Sequence, residues 1–174
     1  MKYKSQLMTS DDVQRALKRI SHQIAEHNSG TDNVVVIGIR KGGVPLAARL
    51  AENLHNIEGQ TVPVGALDIS GHRDDVDQVP TDSSTDIPFD ITGKDVVLVD
   101  DVLYTGRTAR AALDASLELG RASTVQLAVL VDRGHRELPI RADYVGKNIP
   151  TSRTEKVDVE QDEAGETVVN IYDL

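Results

Sequence analysis

The 174-residue chain contains no cysteine and no tryptophan. Without cysteine it forms no disulfide and does no thiol chemistry, which is compatible with a reducing cytosol. No window approaches the roughly 18 apolar residues of a membrane span. Met1-Lys2-Tyr3-Lys4-Ser5-Gln6-Leu7 has no apolar core of signal-peptide length. The protein is therefore expected in the cytoplasm, with no membrane partner. Positive charge is scarce too: 19 Lys and Arg against 28 Asp and Glu give a formal charge of -9. That balance argues against a generally basic nucleic-acid binder, and no DNA partner is expected, although a local basic face is still allowed. What remains, 39% hydrophobic and 27% charged, is the composition of one soluble domain over residues 1–174, long enough to bury a core.

The chain is organised around Val96-Val97-Leu98-Val99-Asp100-Asp101-Val102-Leu103-Tyr104-Thr105-Gly106-Arg107-Thr108. Four β-favouring apolar residues run into two acids, then a Thr-Gly-Arg-Thr turn, then a helical pattern from Ala109. Carboxylates at the carboxyl end of a buried strand lie where open α/β sheets hold ligands. The turn offers two hydroxyls, a glycine and amides at a helix N-terminus, which together suit a phosphate. The acids must then serve another part of the same ligand, such as vicinal ribose hydroxyls or a Mg²⁺ held by them. An Asp-Asp pair after a strand is also a common turn and helix cap; Thr105-Gly106-Arg107-Thr108 favours the ligand.

Upstream, Thr9 and Asp12 have capping-box spacing and open a helix. Val13, Ala16, Leu17, Ile20 and Ile24 form its apolar stripe, and Arg15, Lys18, Arg19 and His22 recur on the opposite side. By itself that second stripe is more commonly a solvated basic face than a nucleic-acid surface. Val34–Ile39 reads as a buried parallel strand. Arg40-Lys41-Gly42-Gly43 follows it and leads into a helix at Val44-Pro45, an anion site without the Gly-Lys-Ser/Thr ending of a Walker loop. Gln60 to Ile69 reads as an edge strand because of Pro63. Ser70 to Asp90 is polar and about twenty residues long, hence either a functional lid or a disordered insertion. A helix is expected from Thr108 to Leu119, ending at Gly120, and a strand from Thr124 to Val131. Strands alternating with helices imply an α/β fold with a mainly parallel central sheet flanked by helices.

The central stretch resembles the phosphoribosyl-pyrophosphate (PRPP) signature of type I phosphoribosyltransferases. The resemblance implies that fold, with a flexible β-arm and a small hood. It assigns the ribose hydroxyls, directly or through Mg²⁺ carried with PRPP, to Asp100 and Asp101, and the 5′-phosphate to Thr105, Gly106, Arg107 and Thr108. It assigns pyrophosphate to Arg40, Lys41, Gly42 and Gly43. It makes residues 70–90 a lid over PRPP, with Arg73 reaching the pyrophosphate; no resident metal site is implied. Purine-specific members usually carry an Asp just before the Thr-Gly. This chain has Tyr104, which argues against a purine.

The segment Asp132 to Ser152 gathers Arg133, His135, Arg136, Arg141 and Lys147 within fifteen residues of an acidic protein. Together with the central stretch, Asp68-Ile69, Arg73-Asp74-Asp75 and the capped helix around Arg15 to His22, it resembles the bacterial pyrimidine operon regulatory family. Members are RNA-binding attenuators with uracil phosphoribosyltransferase activity, and the resemblance runs from about residue 8 to 172. It implies a homodimer or higher oligomer that binds stem-loop leader mRNA through Arg15, Lys18, Arg19, His22, His135, Arg136, Arg141 and Lys147. UMP or UTP is implied as the effector, bound in the PRPP site. The implied reaction is uracil plus PRPP giving UMP and pyrophosphate, with Asp100, Asp101 and Arg73 catalytic and Val131 and Ile149 lining the uracil pocket. Two positions depart from relatives: Lys41-Gly42-Gly43 stands where many carry Thr-Arg-Gly, and His27 where Arg is common. The rival readings are a sensor that binds RNA without catalysis, and a phosphoribosyltransferase with no RNA role.

Overall fold

The structure is a computed structural model that describes residues 1–74 and 83–174. Five strands, β2 (Val34–Ile39), β3 (Val64–Leu67), β4 (Asp95–Leu103), β5 (Thr124–Asp132) and β6 (Tyr144–Asn148), form one sheet in the order β3-β2-β4-β5-β6. Every neighbouring pair in it is parallel. Strand residues alternate between two cores: Val34, Val36, Val97, Val99, Ala128 and Leu130 face one side. Val35, Ile37, Val96, Leu98, Leu127 and Val129 face the other. Burial on both faces explains why these strands read as unbroken apolar runs.

Helices α1 (Ser10–His27) and α2 (Gly43–Glu58) cover the first face, and α3 (Arg107–Leu117) covers the second. The Thr9 hydroxyl accepts from the Asp12 amide while the Asp12 carboxylate accepts from the Thr9 amide, completing the expected capping box. All five residues of the expected apolar stripe are buried. Tyr144 donates to Gln126, which exchanges hydrogen bonds with Asn28, so the end of α1 is tied to β5 and β6. Burial pushes the Tyr144 phenol up to about 12.

A second, antiparallel sheet pairs β1 (Lys2–Met8), β8 (Thr167–Asp173) and β7 (Glu155–Gln161), in that order. Met8, Val157, Val169 and Ile171 insert from it into the core under α1. The residue pattern did not announce β1: its partner is about 170 residues away, with Lys2 opposite Asp173. Helix α3 stops at Leu117 and turns through Leu119, short of the expected end at Gly120. The strand expected over Gln60 to Ile69 is confined to Val64–Leu67, because Pro63 has no amide to pair and only Val64 onward lies in register with β2. Of the expected lid, residues 70–74 and 83–90 are described; Asp75 to Asp82 lie outside the described residues.

Candidate phosphoribosyl site and basic face

The carboxyl ends of β2, β4 and β5 meet at one edge of the sheet, and three of the expected segments meet with them. Asp100 and Asp101 leave the end of β4, and each carboxylate accepts the following backbone amide, at 2.8 Å and 2.7 Å. Burial, and then the neighbouring Asp101 carboxylate, raise the Asp100 carboxyl well above the usual range, with Arg73 opposing the shift. A half-buried acid beside another acid is relieved by a cation or by hydrogen-bond donors, and a sugar diol supplies donors. Among the described residues no three acids or histidines come together as a metal site. The acid pair is thus suited to a diol, or to a Mg²⁺ that arrives with its other ligands.

The turn after the acids is built for an anion. Gly106 takes a left-handed φ of 94°, α3 begins at Arg107, and no side chain caps that helix end. The Arg107 amide donates to Thr105 Oγ1 at 3.3 Å, and the open helix end behind it still favours an anion. The cavity in front of them, about 330 Å³, is lined by Arg73, Asp100, Tyr104, Thr105, Arg107 and Thr108 among others. Arg73 Nη1 donates to Thr108 Oγ1 at 3.3 Å, so the lid base stands over the turn. The Arg107 guanidinium turns away to Asp74 (2.7 Å) and Glu137 (3.1 Å). These acids, Glu137 first, raise its pKa. The charge of Arg107 therefore pins the lid base to the 137 loop.

The Arg40–Gly43 loop lies directly against the acids. A Cβ on Gly42 would fall 2.1 Å from Asp101 Oδ2, and one on Gly43 would fall 2.0 Å from the Val99 carbonyl oxygen. Backbone leaves no room for a side chain at Gly43, and at Gly42 one fits only if the Asp101 carboxylate moves. The Arg40–Lys41 peptide is cis. Arg40 Nε donates to the Ser84 carbonyl (2.8 Å), whereas Lys41 is exposed and makes no ion pair among the described residues. Asp68 ties Ser70 to Ser84 across the base of the lid. Its carboxylate accepts from the amide and hydroxyl of Ser70 and from those of Ser84. Those bonds, the Ser84 amide foremost, hold its pKa far below the carboxylate norm. The Asp-Ile-Ser spacing of an Asx turn was the available signal.

The cations expected to meet RNA divide into two groups. Arg15, Lys18, Arg19 and His22 are exposed on α1. Arg19 Nη2 reaches the carbonyls of Val145 (2.9 Å) and Gly146 (2.6 Å), and Lys147 reaches the Leu7 carbonyl (3.2 Å), so α1 and β6 present one continuous face. Arg141 is exposed beside His27 in a cleft of about 670 Å³ that also holds Glu26 and Asp143. Half-buried Arg49 of α2 faces Lys18 across a groove with Gln14, Glu52 and Asn53; the pattern of α2 alone gave no reason to single it out. His135 and Arg136 lie elsewhere, at the nucleotide end. His135 Nε2 donates to the Thr151 carbonyl (2.5 Å). Arg136 donates to the carbonyls of Tyr104 and Ile140 and to the Asp132 carboxylate.

The two residues expected at the base differ in placement. Val131 is fully buried in the core. Ile149 lines a second cavity of about 330 Å³ with Asp132, Arg133, Gly134 and Pro150.

The phosphoribosyl transferase domain model matches residues 5–164. The chain belongs to the phosphoribosyltransferase family. It is 60% identical over 159 residues to the bifunctional protein PyrR of Pelotomaculum thermopropionicum, covering 90% of this chain and 88% of that protein. It is 55% identical to the bifunctional protein PyrR of Thermus thermophilus, covering 99% and 98%. A hypoxanthine phosphoribosyltransferase from Trypanosoma cruzi, solved in a ternary substrates complex, superposes with a TM-score of 0.75 at 22% identity, over 97% of this chain and 95% of that one. At that identity the likeness speaks for the type I fold, which the parallel sheet and its flanking helices share.

Proposed function

We propose that this protein is a uridine-nucleotide-responsive RNA-binding regulator of pyrimidine operon transcription that also transfers phosphoribosyl from PRPP to uracil. The observation that carries the reading is that Asp100 and the Thr105–Thr108 turn line one pocket while Gly42 and Gly43 pack directly against Asp101 and the end of β4 beside it, in a chain 54–60% identical to proteins named for two functions.

In the reaction, N1 of uracil attacks the anomeric carbon and gives up its proton to the departing pyrophosphate or to solvent, the bond to pyrophosphate breaks, and configuration inverts. Positive charge develops on the ribose and negative charge on the leaving group. Asp100 and Asp101 hold the ribose hydroxyls and face the developing positive charge. Amides of the turn and the hydroxyls of Thr105 and Thr108 hold the 5′-phosphate. Arg40, Lys41 and Arg73 face the pyrophosphate, with the backbone of Gly42 and Gly43 close to it. Mg²⁺ carried with PRPP supplies further charge neutralisation, and Asp100 and Asp101 are the residues that would meet it. Uracil enters beside Ile149 at the end of β5, in the cavity that Asp132, Arg133 and Gly134 line.

The α1–β6 face, with Arg15, Lys18, Arg19, His22, Arg141 and Lys147, takes stem-loop leader RNA through phosphate contacts and a few exposed bases. His135 and Arg136 lie apart from that face, at the pocket end, and contact between them and the RNA is the route by which bound UMP or UTP is felt. The working form is a homodimer that doubles the basic face.

The deciding experiment is UMP formation from labelled uracil, PRPP and Mg²⁺, with adenine, hypoxanthine and orotate as competitors and Asp101→Asn as control. Uracil-specific turnover lost in the control establishes the enzyme. Absence of turnover in protein that binds UMP and leader RNA leaves a nucleotide sensor.

A further inference from the structure

One acid lines the phosphate cavity without a place in the transfer chemistry. Glu137 shares that cavity with Arg107 and the Thr105–Thr108 turn, although a carboxylate repels the anion the turn is built to hold. It is kept there by a strap between two distant segments. Arg107 Nε donates to Glu137 Oε1 at 3.1 Å, and the Glu137 and Leu138 amides both donate to the Thr105 carbonyl, at 2.8 and 3.2 Å. Arg136 Nη1 donates to the Tyr104 carbonyl at 2.8 Å. Leu138 and Ile140 close over Gly106, where an added Cβ would meet theirs at 3.5 and 3.1 Å. The phosphate turn and residues 136–138 are therefore one unit.

The strapped segment is also held in a conformation it does not favour by itself. Gly134 and His135 are consecutive left-handed residues, with φ of 81° and 67°, and a histidine keeps that conformation only where its surroundings impose it. His135 is fastened to the Thr151 carbonyl and Arg136 to the Asp132 carboxylate. The Arg107–Glu137 pair is the tie that a charge in the cavity reaches, because both side chains line it. A phosphate dianion in the turn competes with Glu137 for the Arg107 guanidinium and repels the carboxylate.

We propose that Glu137 is the strap through which an occupied phosphate turn is reported to His135 and Arg136. Phosphate draws Arg107 away from Glu137, the strap opens, and the 135–138 segment is freed to meet RNA. The inference rests on the reading of the protein as a uridine-nucleotide-responsive RNA regulator, and it assigns the response to the 5′-phosphate of the nucleotide. Coupling between two binding sites is reciprocal, so RNA on the freed segment tightens UMP by the same factor.

The test is a binding cycle for UMP and leader RNA, each titrated with and without the other at saturation, in wild type, Glu137→Gln and Asp74→Asn. Glu137→Gln keeps the size of the side chain and the backbone bonds and loses the charge that Arg107 holds. Wild-type coupling is expected at about fivefold or more. In Glu137→Gln, RNA affinity without UMP should rise to about the wild-type value with UMP, and coupling should fall to about twofold or less in both directions. Asp74→Asn removes only the lid partner of Arg107 and should keep the coupling. Full coupling in Glu137→Gln overturns the proposal, and so does coupling lost only in Asp74→Asn, which would place the link in the lid. Hydrogen exchange at the Glu137 and Leu138 amides gives a second readout that needs no RNA. UMP should speed it in the wild type, whereas in Glu137→Gln exchange should be fast already and change little with UMP. Exchange unmoved by bound UMP in the wild type overturns the strap. A wild type that binds no leader RNA overturns the regulator reading instead, and the exchange result still decides the strap.

Discussion

The nucleotide pocket and the α1–β6 face carry similar residue types in opposite circumstances. In the pocket, charged groups are tied to the chain: Asp101 lies against Gly42, Arg107 is shared between Asp74 and Glu137, and Arg136 makes two bonds within its own segment and a third to the Tyr104 carbonyl. On the face, Lys18 and His22 point to solvent without an ion pair among the described residues. Charges with fixed partners are preorganised, and a change there disturbs geometry. Charges held in solvent act by number and position, and a change there alters affinity for a polyanion while leaving the fold alone. An arginine in this chain is therefore assigned a job by what surrounds it.

That contrast can be broken at graded points. The largest effect is expected from Asp101→Asn, which should lower uracil transfer by about a hundredfold or more by losing charge opposite the transition state. Leader-RNA affinity without nucleotide should stay within twofold; a parallel loss of RNA binding would mean that pocket and face are one unit. Next comes Gly42→Ala. Its methyl would fall 2.1 Å from Asp101 Oδ2, so the loop or the Asp101 carboxylate must shift, with up to roughly 1–3 kcal/mol lost from stability and a fall in kcat. Wild-type thermal stability and kcat in this variant would show that the loop does not rest on the acids in solution.

Arg136→Ala and Arg141→Ala sharpen the comparison, since both belong to one basic segment. Removing Arg136 leaves the Asp132 carboxylate and two carbonyls without their donor, a loss of about 1.5–3 kcal/mol that should lower the melting temperature. Arg141 is exposed, and its loss should leave the melting temperature unchanged. Equal melting temperatures for the two variants would erase the distinction.

Asp100 supplies a pH dependence. Its carboxyl is raised in the folded protein, so between the unfolded pKa and the raised folded value the native state holds a proton that the unfolded chain releases. Stability should therefore decline as pH rises through that interval. Asp100→Asn should flatten the decline and leave the ligand-free protein more stable at neutral pH, as read by denaturant titration across the interval. A steeper decline in the variant would contradict the assignment.

The smallest effect belongs to the face. Lys18→Ala should weaken leader-RNA binding almost uniformly across RNA sequences and reduce the salt slope by about one, with uracil transfer unchanged. A slope equal to that of wild type would remove Lys18 from the surface.

The sequence by itself determined what is local. The Thr9–Asp12 box, the apolar stripe of α1, the buried run Val34–Ile39 and the strand, acid, turn and helix order from Val96 to Leu117 all follow from contacts within a few residues. The acids and the phosphate turn were legible for the same reason, being consecutive on one strand-turn-helix unit. Tertiary structure decided what depends on distant partners. Strand β1 exists because Lys2 meets Asp173, and the loop at Gly42 matters because it lands on Asp101, 59 positions later in the chain. Whether a given cation of the 133–147 segment faces solvent, Tyr104 or a backbone carbonyl was settled only when the loop closed over β4. Periodicity encodes which face of an element is buried, but it carries no record of which remote group waits there.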